Sequence, residues 1–137
     1  MRKIFIPAFA ALAGCATLPP AAPQPGDAEI RLSLSAAEAS LRQLVLDVQD
    51  DAAVPDYAGS LARLDVASVT VATQAVLGAA DYGAALAAER ALLGVTLKVC
   101  TDGVAKMAAG ERADALAFAR GQFGFSCLVP LSLFAVR

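Results

Sequence analysis

Apolar residues recur at spacings of three and four along most of this chain, and the first such run starts at Ile30. Ile30, Leu34, Ala37, Leu41, Leu44 and Val48 form one seam over about five helical turns. That spacing predicts a helix over about 28–50. Asp27 is placed to cap its start, while Ser35 with Glu38 would make a capping box and leaves a later start or a break at Leu34 open. Leu32 and Leu46 fall off the seam and widen the apolar face. Asp47, Asp50 and Asp51 crowd the end, where the helix dipole disfavours them, and mark a stop.

A second seam of Tyr57, Leu61, Leu64, Ser68, Val71, Ala75 and Gly78 predicts a helix over about 55–79, with Pro55 in its first turn. By propensity 66–71 reads as a strand, but the helical period continues on both sides of it. A third helix follows, capped by Asp81, with Leu86, Leu93, Leu97, Cys100, Val104 and Met107 along one face and Glu89 and Arg90 on its flank. It either reaches Ala109 or breaks at Thr101-Asp102-Gly103. Glu111 to Arg120 is helical by composition. Gly121-Gln122-Phe123-Gly124 reads as a break. The nearly apolar 125–136, around Pro130, is too short to span a membrane; it closes the core as a short helix or strap and leaves Arg137 exposed. Together these elements predict an all-α fold, a small helical bundle of about four helices.

Composition agrees with closely packed helices: 58% of residues are apolar but 6% aromatic, and 33 are Ala. With no His among the 137 residues there is no Ser-His-Asp or Cys-His relay, no HExxH zinc site and no His haem ligand. Net charge is −2 and no Lys/Arg cluster follows Lys3, which argues against nucleic acid as a partner.

The N-terminus has its own organisation. Met1-Arg2-Lys3 is followed by the uncharged apolar stretch Ile4 to Ala13, ending in Leu12-Ala13-Gly14-Cys15. This resembles the signal peptides of bacterial lipoproteins, whose lipobox has Leu, two small residues and an obligatory Cys. The resemblance implies cleavage of residues 1–14, lipidation of Cys15 (acyl chains such as palmitate) and a membrane anchor. Ala16 is not the Asp that resembles an inner-membrane retention signal, which favours the periplasmic face of the outer membrane. The alternative is a plain secretory signal with Cys15 an ordinary residue.

Residues 15–26 then form a lipidated Cys and a tether, ATLPPAAPQPG, with four of the seven prolines. Extended at about 3.1 Å per residue it reaches roughly 30 Å. A proline-rich ligand is the rival reading, but no basic residue flanks a PxxP. The remaining 27–137 is the bundle domain.

With Cys15 acylated, Cys100 and Cys127 are left, and in an oxidising compartment they are expected to pair; a free buried pair is the alternative. If the third helix ran to 109 and a straight helix returned from 111, the two would be offset by seven residues, roughly 10 Å. Either the helix ends near 101 or the chain bends at Gly121–Gly124, and the glycines favour the bend.

Other chemistry is sparse. Asp50, Asp51 and Asp56 lack the spacing of a calcium loop and read as a solvated acidic corner. Arg63, Asp65, Glu89 and Arg90 read as surface charge. Gly78, Gly83 and Gly94 are too scattered to cradle phosphate and read as sites of close helix contact or helix ends. No catalytic, cofactor or metal residues are expected. The expected function is that of a non-enzymatic envelope accessory that scaffolds or inhibits a protein partner, bound to the bilayer through acylated Cys15. A carrier of a small apolar ligand would instead need a cavity lined by Leu93, Leu97 and Phe118. An enzyme would need a concave cluster of Asp, Glu, Arg, Tyr or Ser.

Overall fold

The computed structural model describes residues 26–135, and between 76 and 85 the backbone alone. The expected signal sequence at 1–14, Cys15, most of the expected tether, Arg137 and the side chain of Asp81 lie outside the described residues. No strand occurs among those described, and the fold is an all-α small helical bundle.

Helix α1, Asp27–Gln49, buries the whole seam from Ile30 to Val48. Its N-cap is Gly26 rather than Asp27. Gly26 has φ +87°, a left-handed conformation that suits glycine, and its carbonyl accepts from the Ile30 amide at 3.0 Å. Asp27 sits in the first turn. The helix passes Leu34 without a break, and Glu38 pairs with Arg42 at 2.8 Å instead of closing a capping box on Ser35. Leu32 and Leu46 are exposed. Each lies two residues from a seam position, about 200° round the helix, so they face away from the core rather than widening it.

Helical backbone next runs without interruption through α2, Tyr57–Ala109. Asp56 caps it, its Oδ1 accepting from the Gly59 amide at 2.8 Å, which places Pro55 before the helix rather than in its first turn. The strand-like 66–71 is helical. On this helix the fully buried ridge is Ser60, Leu64, Ala67 and Val71, with Tyr57, Leu61 and Ser68 on its flank.

Unbroken helix does not mean a straight rod. Arg90 Nη1 donates to the backbone carbonyl of Gln74, sixteen residues earlier. On a straight helix those positions would lie about 24 Å apart, so α2 reverses between them. Contacts with α1 give the directions. Ser60 meets Ser40, and a Cβ on Gly26 would meet the Gln74 side chain, so the first arm runs antiparallel to α1. Arg90 meets Asp27, and Arg112, three residues past the end of α2, meets Val48, so the second arm runs parallel to it. The expected second and third helices are these two arms. Position 81 is interior to helical backbone, and Asp81 is therefore no N-cap.

The second arm continues through Thr101–Gly103 to Ala109, so the break does not form. Leu93, Leu97, Cys100, Val104 and Met107 are buried on it, and Leu86 is half-buried. Gly94 has nothing within 4 Å of a would-be Cβ and marks no close contact, whereas Gly103 admits the ring of Phe123.

Helix α3, Arg112–Arg120, ends at Gly121, and the chain turns by 49° into Gly124–Ala135. This is the expected bend at the glycines. Gly124–Leu128 is wound as a π-helix and Val129–Ala135 is α4. Pro130 supplies a reason for the wide turn: it removes the helical bond to residue 126 and its ring crowds that carbonyl. The Val129 amide reaches back to the Gly124 carbonyl instead. Ala115, Ala119, Phe123, Cys127 and Leu131 turn inward at every fourth position and complete the up-and-down bundle. Among the described residues no single helix is long and apolar enough to cross a membrane; α3 with Gly124–Ala135 passes on length and composition only as a bent pair.

Candidate functional site

The two remaining cysteines are the first sequence-derived pair the fold brings together. Cys100 on the second arm and Cys127 in the π turn have Sγ atoms 2.06 Å apart and Cα atoms 4.9 Å apart, both fully buried. Bend and π winding together remove the seven-residue offset of straight helices. A bonded thiol is neither nucleophile nor ligand, so this pair is a staple.

Arg90 corrects the surface-charge reading. It is 3% exposed, with its guanidinium between the Gln74 carbonyl and the Asp27 carboxylate, 3.4 Å away. Buried cations persist when their donors find acceptors, and here they join the start of α1 to both arms of α2. Arg63, Asp65 and Glu89 are exposed, as expected.

Among the described residues, two open grooves lie along the bundle. One, of about 380 Å³, runs between α1 and the first arm and is lined by polar side chains including Ser40, Gln43, Asp47, Asp56, Ser60 and Arg63. Its groups are mutually engaged: the Ser40 and Ser60 hydroxyls lie 2.9 Å apart, Gln43 donates to Asp47 at 2.9 Å, and Asp56 is an N-cap. The second, of about 400 Å³, is lined by Lys106, Met107, Gly110, Asp114, Ala115 and Phe118. Lys106 Nζ stands 4.6 Å from the centre of the Phe118 ring, a cation–π contact. Leu93 and Leu97 border neither groove; they are packed in the core, and Phe118 alone of the three carrier positions reaches one.

Compared with protein-family models, curated proteins and solved structures, the chain matches none.

The acidic corner between α1 and α2 is used structurally. Arg112 Nη2 donates to the carbonyls of Asp47, Val48 and Asp50, at 3.3 Å and 3.2 Å for the first two, and Arg112 Nε lies 3.5 Å from Asp51. A cation from α3 thereby satisfies the C-terminus of α1, which has no basic residue in its own last turn. Asp50 Oδ1 accepts from the Ala52 amide at 3.0 Å. Among the described residues no three His, Cys, Asp or Glu side chains are grouped to hold a metal ion. Sequence reasoning missed Arg90, Arg112 and the Ser40–Ser60 pair, all of which act across 16 or more positions of chain.

Proposed function

We propose that this chain is a membrane-anchored periplasmic accessory lipoprotein, held on the periplasmic face of the outer membrane by acylated Cys15. In this reading it is not an enzyme and works by protein–protein interaction, as a scaffold or inhibitor of an envelope partner. One observation carries the reading: the apolar run that starts at Ile4 ends in Leu12-Ala13-Gly14-Cys15. The disulfide supports it, because it consumes the other two cysteines and leaves Cys15 outside the staple. The engaged polar groups of the first groove also suit a surface that is recognised better than one that reacts.

The test has two parts. Mass measurement of the N-terminus of protein purified from membranes should find a diacyl or triacyl cysteine at position 15, and Cys15→Ala should leave the precursor uncleaved there. Crosslinking in intact envelopes should then capture one protein reproducibly. An unmodified N-terminus within the tether would defeat the anchor, and capture of nothing above background would defeat the partner.

A further inference from the structure

The segment Gly124–Ala135 is apolar on its outer face as well as its inner one. Phe123, Cys127 and Leu131 are fully buried, whereas Phe125, Val129 and Leu133 are exposed by 81%, 52% and 61%. Between 123 and 135 only Ser126 and Ser132 carry polar side chains, and both hydroxyls are engaged by the helix itself. Ser126 donates to the Gln122 carbonyl at 2.7 Å and Ser132 to the Val129 carbonyl at 2.8 Å. No charge occurs within 122–136. A helix that is apolar all round is ordinarily covered on every side. Here α1 and the second arm cover one face, and the other is open.

The three outward side chains fall on one line. Gly124–Leu128 is wound as a π-helix, which takes more residues per turn than an α-helix, so the four steps from Phe125 to Val129 return close to the same side. Four α-helical steps, about 40° past one full turn, then carry the line to Leu133. Phe125 and Leu133 therefore stand at equal spacing on either side of Val129. Together the three offer on the order of 350 Å² of apolar surface, the size of a patch that often proves functional.

We propose that this strip is the contact between two copies of the chain, paired antiparallel about a two-fold axis at Val129. A two-fold contact uses one surface twice, and the equal spacing about Val129 supplies such a surface. Phe125 of each copy meets Leu133 of the other, and Val129 meets Val129. The strip sets no like charges against each other. The helices packed beside it carry exposed charges of both signs, Arg31 and Arg42 on α1 and Glu89 and Lys98 on the second arm, as the rim of an interface does. A helix lying on a bilayer would carry Lys or Arg along its polar side, and 122–136 has neither. The area is under half of the roughly 800 Å² that each partner buries in a standard interface, so the pair is weak and reversible. It does not depend on the anchored reading above.

The test uses the purified full chain with photoreactive p-benzoylphenylalanine in place of Phe125. Light and isotopically heavy copies are mixed in equal amounts and irradiated, and the intact mass of the covalent dimer is measured. About half of the dimers should pair a heavy with a light copy, as random exchange requires. After reduction, trypsin releases 121–137 as one peptide, and the link should map from position 125 to the neighbourhood of Leu133. Val129→Glu places two carboxylates together on the axis and should lower the dimer yield about tenfold or more, as should Val129→Lys with two ammonium groups. Mixing light Val129→Glu with heavy Val129→Lys should restore it, in heavy–light pairs alone. Val129 faces outward, so both variants should melt as the parent does; if either were destabilised, restoration in the mixture would still decide. Absence of heavy–light dimer, a link from 125 to 125 or to another face, or a yield unchanged by Val129→Glu would overturn the pairing. Transfer of the photolabel to lipid in place of the second copy, when vesicles are present, would overturn it as well.

Discussion

A Cβ on Gly103 would lie 2.9 Å from Cδ2 of Phe123, and 3.3 Å from Cε1 of Phe118. The absence of a side chain on the second arm is what lets a fully buried aromatic ring cross it, just before the chain enters the π turn that carries Cys127. Gly94, nine residues earlier on the same helix, meets nothing.

The two glycines should therefore respond oppositely to alanine. Gly94→Ala should stabilise by about 0.5–1 kcal/mol through helix propensity alone. Gly103→Ala gains the same propensity but must displace Phe123, and overpacking at about 1–3 kcal/mol outweighs it, leaving a net loss of about 1 kcal/mol. Thermal or urea melting of the two variants decides the sign of each.

Reduction should cost about 3–4 kcal/mol, the chain-entropy value for a loop closed across 27 positions. Non-reducing peptide mapping should recover the Cys100 and Cys127 peptides joined, with the Cys15 peptide separate. Recovery of two free thiols from the purified protein would contradict the staple.

How much of this was legible in the sequence depends on how local its cause is. The α1 seam and the core positions of the second arm are periodic, so both were read residue by residue. The Cys100–Cys127 pair and the bend at Gly121–Gly124 followed from counting residues along straight helices. A boundary between two helices is legible at 79–81, after Gly78 and before Asp81, and the reversal falls in that region; what the local pattern does not show is that the backbone stays helical through it. Arg90 was assigned to the flank because charge normally marks solvent; its acceptors, Gln74 and Asp27, are separated from it by 16 and 63 positions. The exposed Leu32 was misplaced for the converse reason, that apolar normally marks core. In the grooves, Asp47, Asp56 and Arg63 were visible as charges, but the Ser40–Ser60 contact depends on the register between two helices.

Arg112→Ala should loosen the junction between α1 and α2, since it removes the donor shared by the Asp47, Val48 and Asp50 carbonyls. Arg112 is partly exposed, so the loss is expected to be about 1 kcal/mol rather than the larger value of a buried charged bond. Asp51→Asn should leave melting unchanged, because that carboxylate is fully exposed. Amide exchange should quicken in the last turn of α1 in the first variant and not in the second.

Arg90 ties the start of α1 to both arms of α2, and its replacement is the most demanding test of the reversed course of α2. Arg90→Ala leaves the Gln74 carbonyl and the Asp27 carboxylate without this donor and opens a void beneath the reversal; a loss of about 3 kcal/mol is expected. Arg90→Lys keeps the charge but lacks the planar fork that serves two acceptors at once, so it should recover only part of the loss. Asp27→Asn alone should cost less, because that side chain is about one-third exposed while Arg90 is buried. If Arg90 joined α1 to the reversal only by incidental proximity, a double-mutant cycle of Arg90→Ala with Asp27→Asn would be additive; direct contact predicts a coupling of about 0.5 kcal/mol or more. Additive losses with unchanged amide protection at both 27–31 and 86–90 would place the arms of α2 apart and remove the antiparallel reading of the first arm.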